Sequence, residues 1–89
     1  MKTKYIVGEL PSAMGTVLGG IAFPEFVNHA DMAKMFNSVE SAGFLSLGPD
    51  IDKDCGINVV CYGESIGLKL KADPERDAKI MRRALGLTY

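Results

Sequence analysis

Residues 59–87 read VVCYGESIGLKLKADPERDAKIMRRALGL, and within them one periodicity gives way to another. Ile66, Leu68 and Leu70 alternate with small or polar residues, the period of a strand with one buried face. The alternation stops at Asp73-Pro74, after which Ala78, Met81 and Leu85 recur three and four apart, the spacing of one helix face. Ile80, Ala84 and Leu87 lie alongside that stripe. Asp73 is a good N-cap, Pro74 suits the first helical position because its missing N–H has no partner there, and Gly86 provides a stop. A strand region running directly into a capped terminal helix over 74–85 predicts an α+β domain.

Upstream, residues 4–10 form a short β-branched and aromatic segment, and Pro11-Ser12-Ala13-Met14-Gly15 is a turn by composition. Residues 16–23, TVLGGIAF, predict a second strand paired with the first and ended by Pro24. Gly19-Gly20 inside it predicts a bulge, or a close approach of another backbone or a ligand. Asn28 predicts a helix start, with Asp31 as a weak capping partner and the helix running to about Phe36. Ala30, Ala33 and Phe36 share a face of that helix, with Met32 and Met35 beside it. Residues 39–47 predict a third strand weakened by Gly43, and 57–62 a fourth, broken or bulged at Gly63-Glu64. Residues 65–71 are a fifth strand or the continuation of the fourth. The predicted order is ββαβββα or ββαββα: a small antiparallel sheet of four or five strands with two helices packed on one face, as a single domain over residues 1–89.

The bulk numbers bound what such an object does. A chain of 89 residues buries about 60–65% of its unfolded surface and has a stability of about 4–13 kcal/mol. Its apolar content of 47% is high for so small a body, which predicts that a second copy covers part of the surface. An exposed sheet edge gives a second reason to expect a homo-oligomer. Ten basic against eleven acidic residues leave no surplus positive charge for binding duplex nucleic acid. Locally, Lys69, Lys71, Arg76, Lys79, Arg82 and Arg83 outnumber Asp73, Glu75 and Asp77, enough to attract a small anion, although such a run also fits the solvated face of a terminal helix. No segment approaches the roughly 20 apolar residues of a membrane span, and MKTKYIVGEL is a poor signal peptide, so a cytoplasmic protein with no membrane partner is expected. Cys55 and Cys61 are then reduced thiols, although a disulfide across a hairpin stays open.

Signatures of catalysis and of cofactors are weak. His29 is the single histidine, and no serine or cysteine adjoins it in sequence. At a helix start it reads first as a local hydrogen-bonding residue, next as a ligand contact and last as a general base, with Ser41, Ser65 or Cys61 as tertiary neighbours left open. Cys55, Cys61 and His29 lack the paired spacing of a zinc site. Asp50, Asp52 and Asp54 alternate as in a calcium loop, but Gly56 falls at the seventh position and Cys61 stands where the bidentate Glu belongs. GTVLGG lacks the Lys-Ser/Thr of a phosphate-binding loop. No cofactor or metal is therefore expected. Glu64, between Gly63 and Ser65, is the best candidate for a functional carboxylate, against the plain reading of an exposed bulge residue. Cys61 alternates with Val59 and reads as a small core residue. Phe23, Phe44 and Tyr62 read as core or interface aromatics that also suit stacking on a nucleobase.

The segments FPEFVNHADMAKMF, VESAGF and VVCYGESIGLKLK, followed by PERDAKIMRRAL, together resemble a family of very small uncharacterised proteins encoded by phages and prophages, over residues 21–85. The resemblance implies a phage accessory protein in a bacterial cytosol, of the size of those that oppose host defences by trapping nucleotide-derived immune signals in multimers. On that implication His29, Ser41, Glu64, Ser65 and Lys69 are pocket residues, Phe44 or Tyr62 stacks a base, and Arg82 or Arg83 meets a phosphate. The leading expectation is a non-enzymatic homo-oligomer that sequesters a small anionic nucleotide-like ligand. An inhibitor docking on a host protein through an edge strand or helix face is the alternative, and a small hydrolase using His29 with Glu64 or Cys61 comes third.

Overall fold

The computed structural model describes residues 2–49 and 57–87. The acidic loop at 50–54 and Cys55 lie outside them, and with them the calcium-loop and disulfide readings. Among the described residues the order is β1 (Thr3–Ser12), β2 (Gly15–Pro24), α1 (His29–Met32) continued by a 3₁₀ turn (Ala33–Met35), β3 (Ser38–Pro49), β4 (Ile57–Tyr62), β5 (Glu64–Ser65), β6 (Leu70–Lys71) and α2 (Pro74–Ala84). The first four strands form one antiparallel sheet in the order β2-β1-β3-β4, and β5 and β6 form a separate two-stranded ribbon. The fold is α+β.

Tyr5, Ile6 and Val7 are consecutive in β1 and all fully buried, so both faces of the central sheet are covered. On one face Tyr5, Val7, Leu45, Val59 and Cys61 pack beneath α2, whose Met81 is fully buried among them. On the other, Ile6, Phe23, Phe36 and Ala42 are covered by Met32 and Ala33 of the α1 region and by Leu68 and Leu70 of the ribbon. The two helices thus sit on opposite faces instead of sharing one. A helix of four residues is too short to cover a face alone, and the ribbon completes that layer.

The predicted fifth strand over 65–71 is replaced by the ribbon. Lys69 adopts φ 56° and residues 66–69 form a turn, so Ile66, Leu68 and Leu70 do not share a strand face. Ile66 is 85% exposed, while Leu68 and Leu70 are half-buried. β2 pairs with β1 without interruption from Pro24 to Gly15, so Gly19-Gly20 makes no bulge. The reason for glycine is a close approach: a Cβ on Gly20 would collide with the Met81 sulfur of α2. The register shift falls in the β1–β3 pairing, between Val7 and Gly8.

At the helices, the Asp73 side chain accepts from the Arg76 N–H and Pro74 opens α2, as the sequence predicts. Gly86 follows the helix with φ 75°. The buried stripe differs, because Leu85 is 39% exposed and its place is taken by Asp77, which is fully buried. Asn28 precedes α1 in extended conformation but makes no side-chain cap, and exposed Asp31 pairs weakly with Lys34 at 3.9 Å instead of capping. Ala30 and Met35 face solvent, leaving Met32, Ala33 and Phe36 as the packed residues. No helix among the described residues is long and apolar enough to cross a membrane.

Candidate ligand cleft

A cleft of about 560 Å³ opens on the sheet face opposite α2. That volume lies within the roughly 300–1,000 Å³ of small-molecule sites. Lys4 of β1 and Phe44 of β3 are direct cross-strand partners and form its floor. Asn28, His29 and Ala30 at the start of α1 make one wall, and residues 63–67 make the other.

The second wall exists because β4 cannot run on. Gly63 takes φ 78°, a conformation that costs other residues a Cβ clash, and it swings the chain out of the sheet. The Ala72 N–H then bonds the Gly63 carbonyl at 3.0 Å, so the ribbon folds back over β3 and presents Glu64, Ser65, Ile66 and Gly67 to the cleft. The Ser65 hydroxyl accepts from the Leu68 N–H at 3.3 Å, which ties down the turn.

His29 is buried at the base of the first wall, with its ring edge-on to Phe23 and Phe44. Its Nε2 lies 3.0 Å from the Gly43 carbonyl oxygen. A carbonyl only accepts, so Nε2 carries the proton and donates, and in the neutral ring Nδ1 is an acceptor. Burial lowers the His29 pKa from its ordinary value and the Lys4 charge pushes the same way, against the opposing pull of the Gly43 bond. Lys4 Nζ itself donates to the Val27 carbonyl at 3.0 Å, joining β1 to the segment before α1. Phe44 stacks near-parallel on Tyr62 at 5.9 Å, and Lys2 Nζ lies 5.2 Å from the Phe44 ring centre.

Four of the residues singled out from sequence, His29, Phe44, Glu64 and Ser65, therefore converge on one cleft. Tyr62 flanks it through Phe44, and Lys69 stands exposed in the adjoining turn without lining it. The other three lie on the far side of the sheet. Ser41 is buried beneath α2 with its hydroxyl donating to Asp77 at 2.7 Å, and Arg82 and Arg83 are on α2 itself. Cys61 is on that side too, its thiol pKa pushed up to about 11 by burial and by the Asp77 charge. Lys4, Asn28 and Ile66 are cleft residues that the sequence reading missed. For Lys4 a signal was present: it shares the alternation of Ile6 along β1 and so faces the same side.

Among the described residues no cluster of three or more His, Cys, Asp or Glu is placed to hold a metal ion. Comparison with protein-family models, with curated proteins and with solved structures finds no match to this chain.

Proposed function

We propose that this protein binds a small nucleotide-like ligand in the cleft between α1 and the β5–β6 ribbon, holds it without transforming it, and works as a homo-oligomer. The observation that carries this reading is the meeting of Phe44, His29, Glu64 and Ser65 with Lys4 around one cavity of ligand size. Phe44 and Ile66 offer apolar area to a flat ring, Glu64 accepts from an amino group, and Lys4 attracts an anionic one. With Arg82 and Arg83 on the far face, Lys4 and Lys2 replace them as the cations for a phosphate.

Two features favour holding over catalysis. The His29 Nε2 proton is committed to the Gly43 carbonyl, and Cys61 lies across the sheet, out of reach as a nucleophile. The resemblance to small phage-encoded proteins adds the proposal that the ligand is a nucleotide-derived signal of bacterial immunity.

Titration calorimetry with adenine and guanine nucleotides, linear and cyclic, tests the reading. Binding by the native protein, weakened about tenfold or more in Glu64→Gln or Lys4→Gln and releasing the nucleotide chemically intact, is the expected result. No binding across the panel, or recovery of an altered nucleotide, would overturn it.

A further inference from the structure

The outer edge of β4 is built to pair with itself. Among the described residues β4 ends the sheet, with β3 on its inner side and α2 over one face. Edge strands in monomers are guarded by charges, prolines or bulges, and INVVCY has none of the three. On the face away from α2 it carries two large apolar side chains that water reaches, Val60 at 44% and Tyr62 at 39%. The other edge, β2, is centred on Gly19-Gly20 and offers no side chains there for cross-strand pairing.

We propose that β4 pairs antiparallel with β4 of a second copy about a two-fold axis at Val60, making one continuous eight-stranded sheet. This rests on the oligomeric part of the proposed function and is independent of the ligand. The register follows from the faces. A two-fold axis that keeps like faces together pairs residues whose numbers share one parity, because side chains alternate along a strand. Val60 and Tyr62 are the exposed large residues on the face away from α2. Centring on Val60 sets it against the same residue of the second copy and Tyr62 against Asn58, so both apolar side chains are covered. Centring on Val59 spends the axis on a side chain that α2 already buries and leaves Tyr62 beyond the paired segment. The strand's own sequence is symmetric enough for this, having no charge to repel its copy. Both copies' α2 helices then lie on one side of the sheet and both clefts on the other.

Light scattering and disulfide trapping test the proposal in a Cys55→Ser background. The native sequence is expected at twice the chain mass, and Val60→Lys at one chain mass with an unchanged circular dichroism spectrum. Val60→Cys is expected to form a covalent dimer on mild oxidation. Asn58→Cys is not, because its sulfurs would be four strand positions apart, about 13 Å, beyond the roughly 7 Å that a disulfide tolerates. Should Val60→Lys fail to fold, the cysteine pair decides alone. A monomeric native protein, a dimer that survives Val60→Lys, trapping through Asn58→Cys, or an edge occupied by a foreign protein with no self-association would each overturn the proposal. None of these outcomes touches the nucleotide titration, which stands or falls on the cleft.

Discussion

The Tyr5 hydroxyl donates to Oδ2 of Asp77, a bond between the first strand and the last helix, 72 residues apart. Asp77 is fully buried, and its carboxylate also accepts from the Ser41 hydroxyl at 2.7 Å, the Asp73 N–H at 2.9 Å and the Arg76 guanidinium at 3.4 Å. Arg76 in turn donates to Ser41 at 3.1 Å, so β1, β3 and α2 are joined at one point. Burial, followed by the Asp77 hydrogen bond and charge, drives the Tyr5 pKa well above its ordinary value, which keeps the phenol a donor.

Removing the centre of this network takes away the acceptor of two buried hydroxyl donors, Tyr5 and Ser41. Asp77→Ala is expected to cost about 2–5 kcal/mol, a large part of the about 4–13 kcal/mol available to a chain of this size. Tyr5→Phe takes away one donor to a charged acceptor and is expected to cost about 1.5–3 kcal/mol. Urea unfolding of both single variants and the double variant measures the coupling. Strict additivity would mean that the Tyr5–Asp77 bond contributes nothing.

Cys61 should be chemically silent in the native state. It is 1% exposed, and with its pKa at about 11 it presents almost no thiolate at neutral pH. Iodoacetamide labelling followed by mass analysis across a urea series is expected to modify Cys61 only as the protein unfolds. Labelling at native rates equal to those of a free thiol would refute the placement under α2.

His29 gives stability a pH dependence with a definite sign. Its folded pKa lies below the unfolded value, so between the two the unfolded chain binds more protons. The contribution is complete above about pH 6.5, the unfolded value, and is lost as pH falls towards the folded one. Melting temperature should drop on acidification through that window in the native protein, and more shallowly in His29→Gln. A parallel decline in both would assign the effect to other groups.

Within the cleft, ligand affinity should separate wall from floor. Glu64 is exposed and its side chain makes no hydrogen bond among the described residues, so Glu64→Gln is expected to leave the melting temperature within about 1–2 °C while lowering nucleotide affinity about tenfold or more. Phe44→Ala removes a ring packed against His29 and Tyr62 and is expected to reduce stability as well as binding. Calorimetry paired with thermal unfolding distinguishes the two.

Local signals in the sequence carried much of this structure. The Asp73-Pro74 cap, the Gly63 break and the pairing of the first two strands are each decided by one or two residues acting on their own backbone, and the structure keeps them. The ribbon departs from the expected strand because the left-handed conformation at Lys69 closes a turn over residues 66–69, which exposes Ile66 while Leu68 and Leu70 still pack on the sheet. The placing of the helices on opposite faces departs from the expected single layer, and its physical mark is that Tyr5, Ile6 and Val7 are buried in succession, which takes cover on both faces of β1. Site residues divided by face: His29, Phe44, Glu64 and Ser65 share a cleft, but Ser41 and the α2 arginines do not, because which face α2 covers is a tertiary choice. Asp77 looked like one more solvated helix charge, and only its partners, 36 and 72 residues away, distinguish it.

The most direct measurement is native mass spectrometry of the protein purified from a bacterium that makes the cognate ligand, followed by denaturation and mass analysis of what is released. A defined multimer carrying one intact nucleotide-like molecule per cleft is the predicted result, with the extra mass gone in Glu64→Gln. A protein that carries no small molecule and gains none from the lysate's nucleotide fraction would contradict the assignment of the cleft.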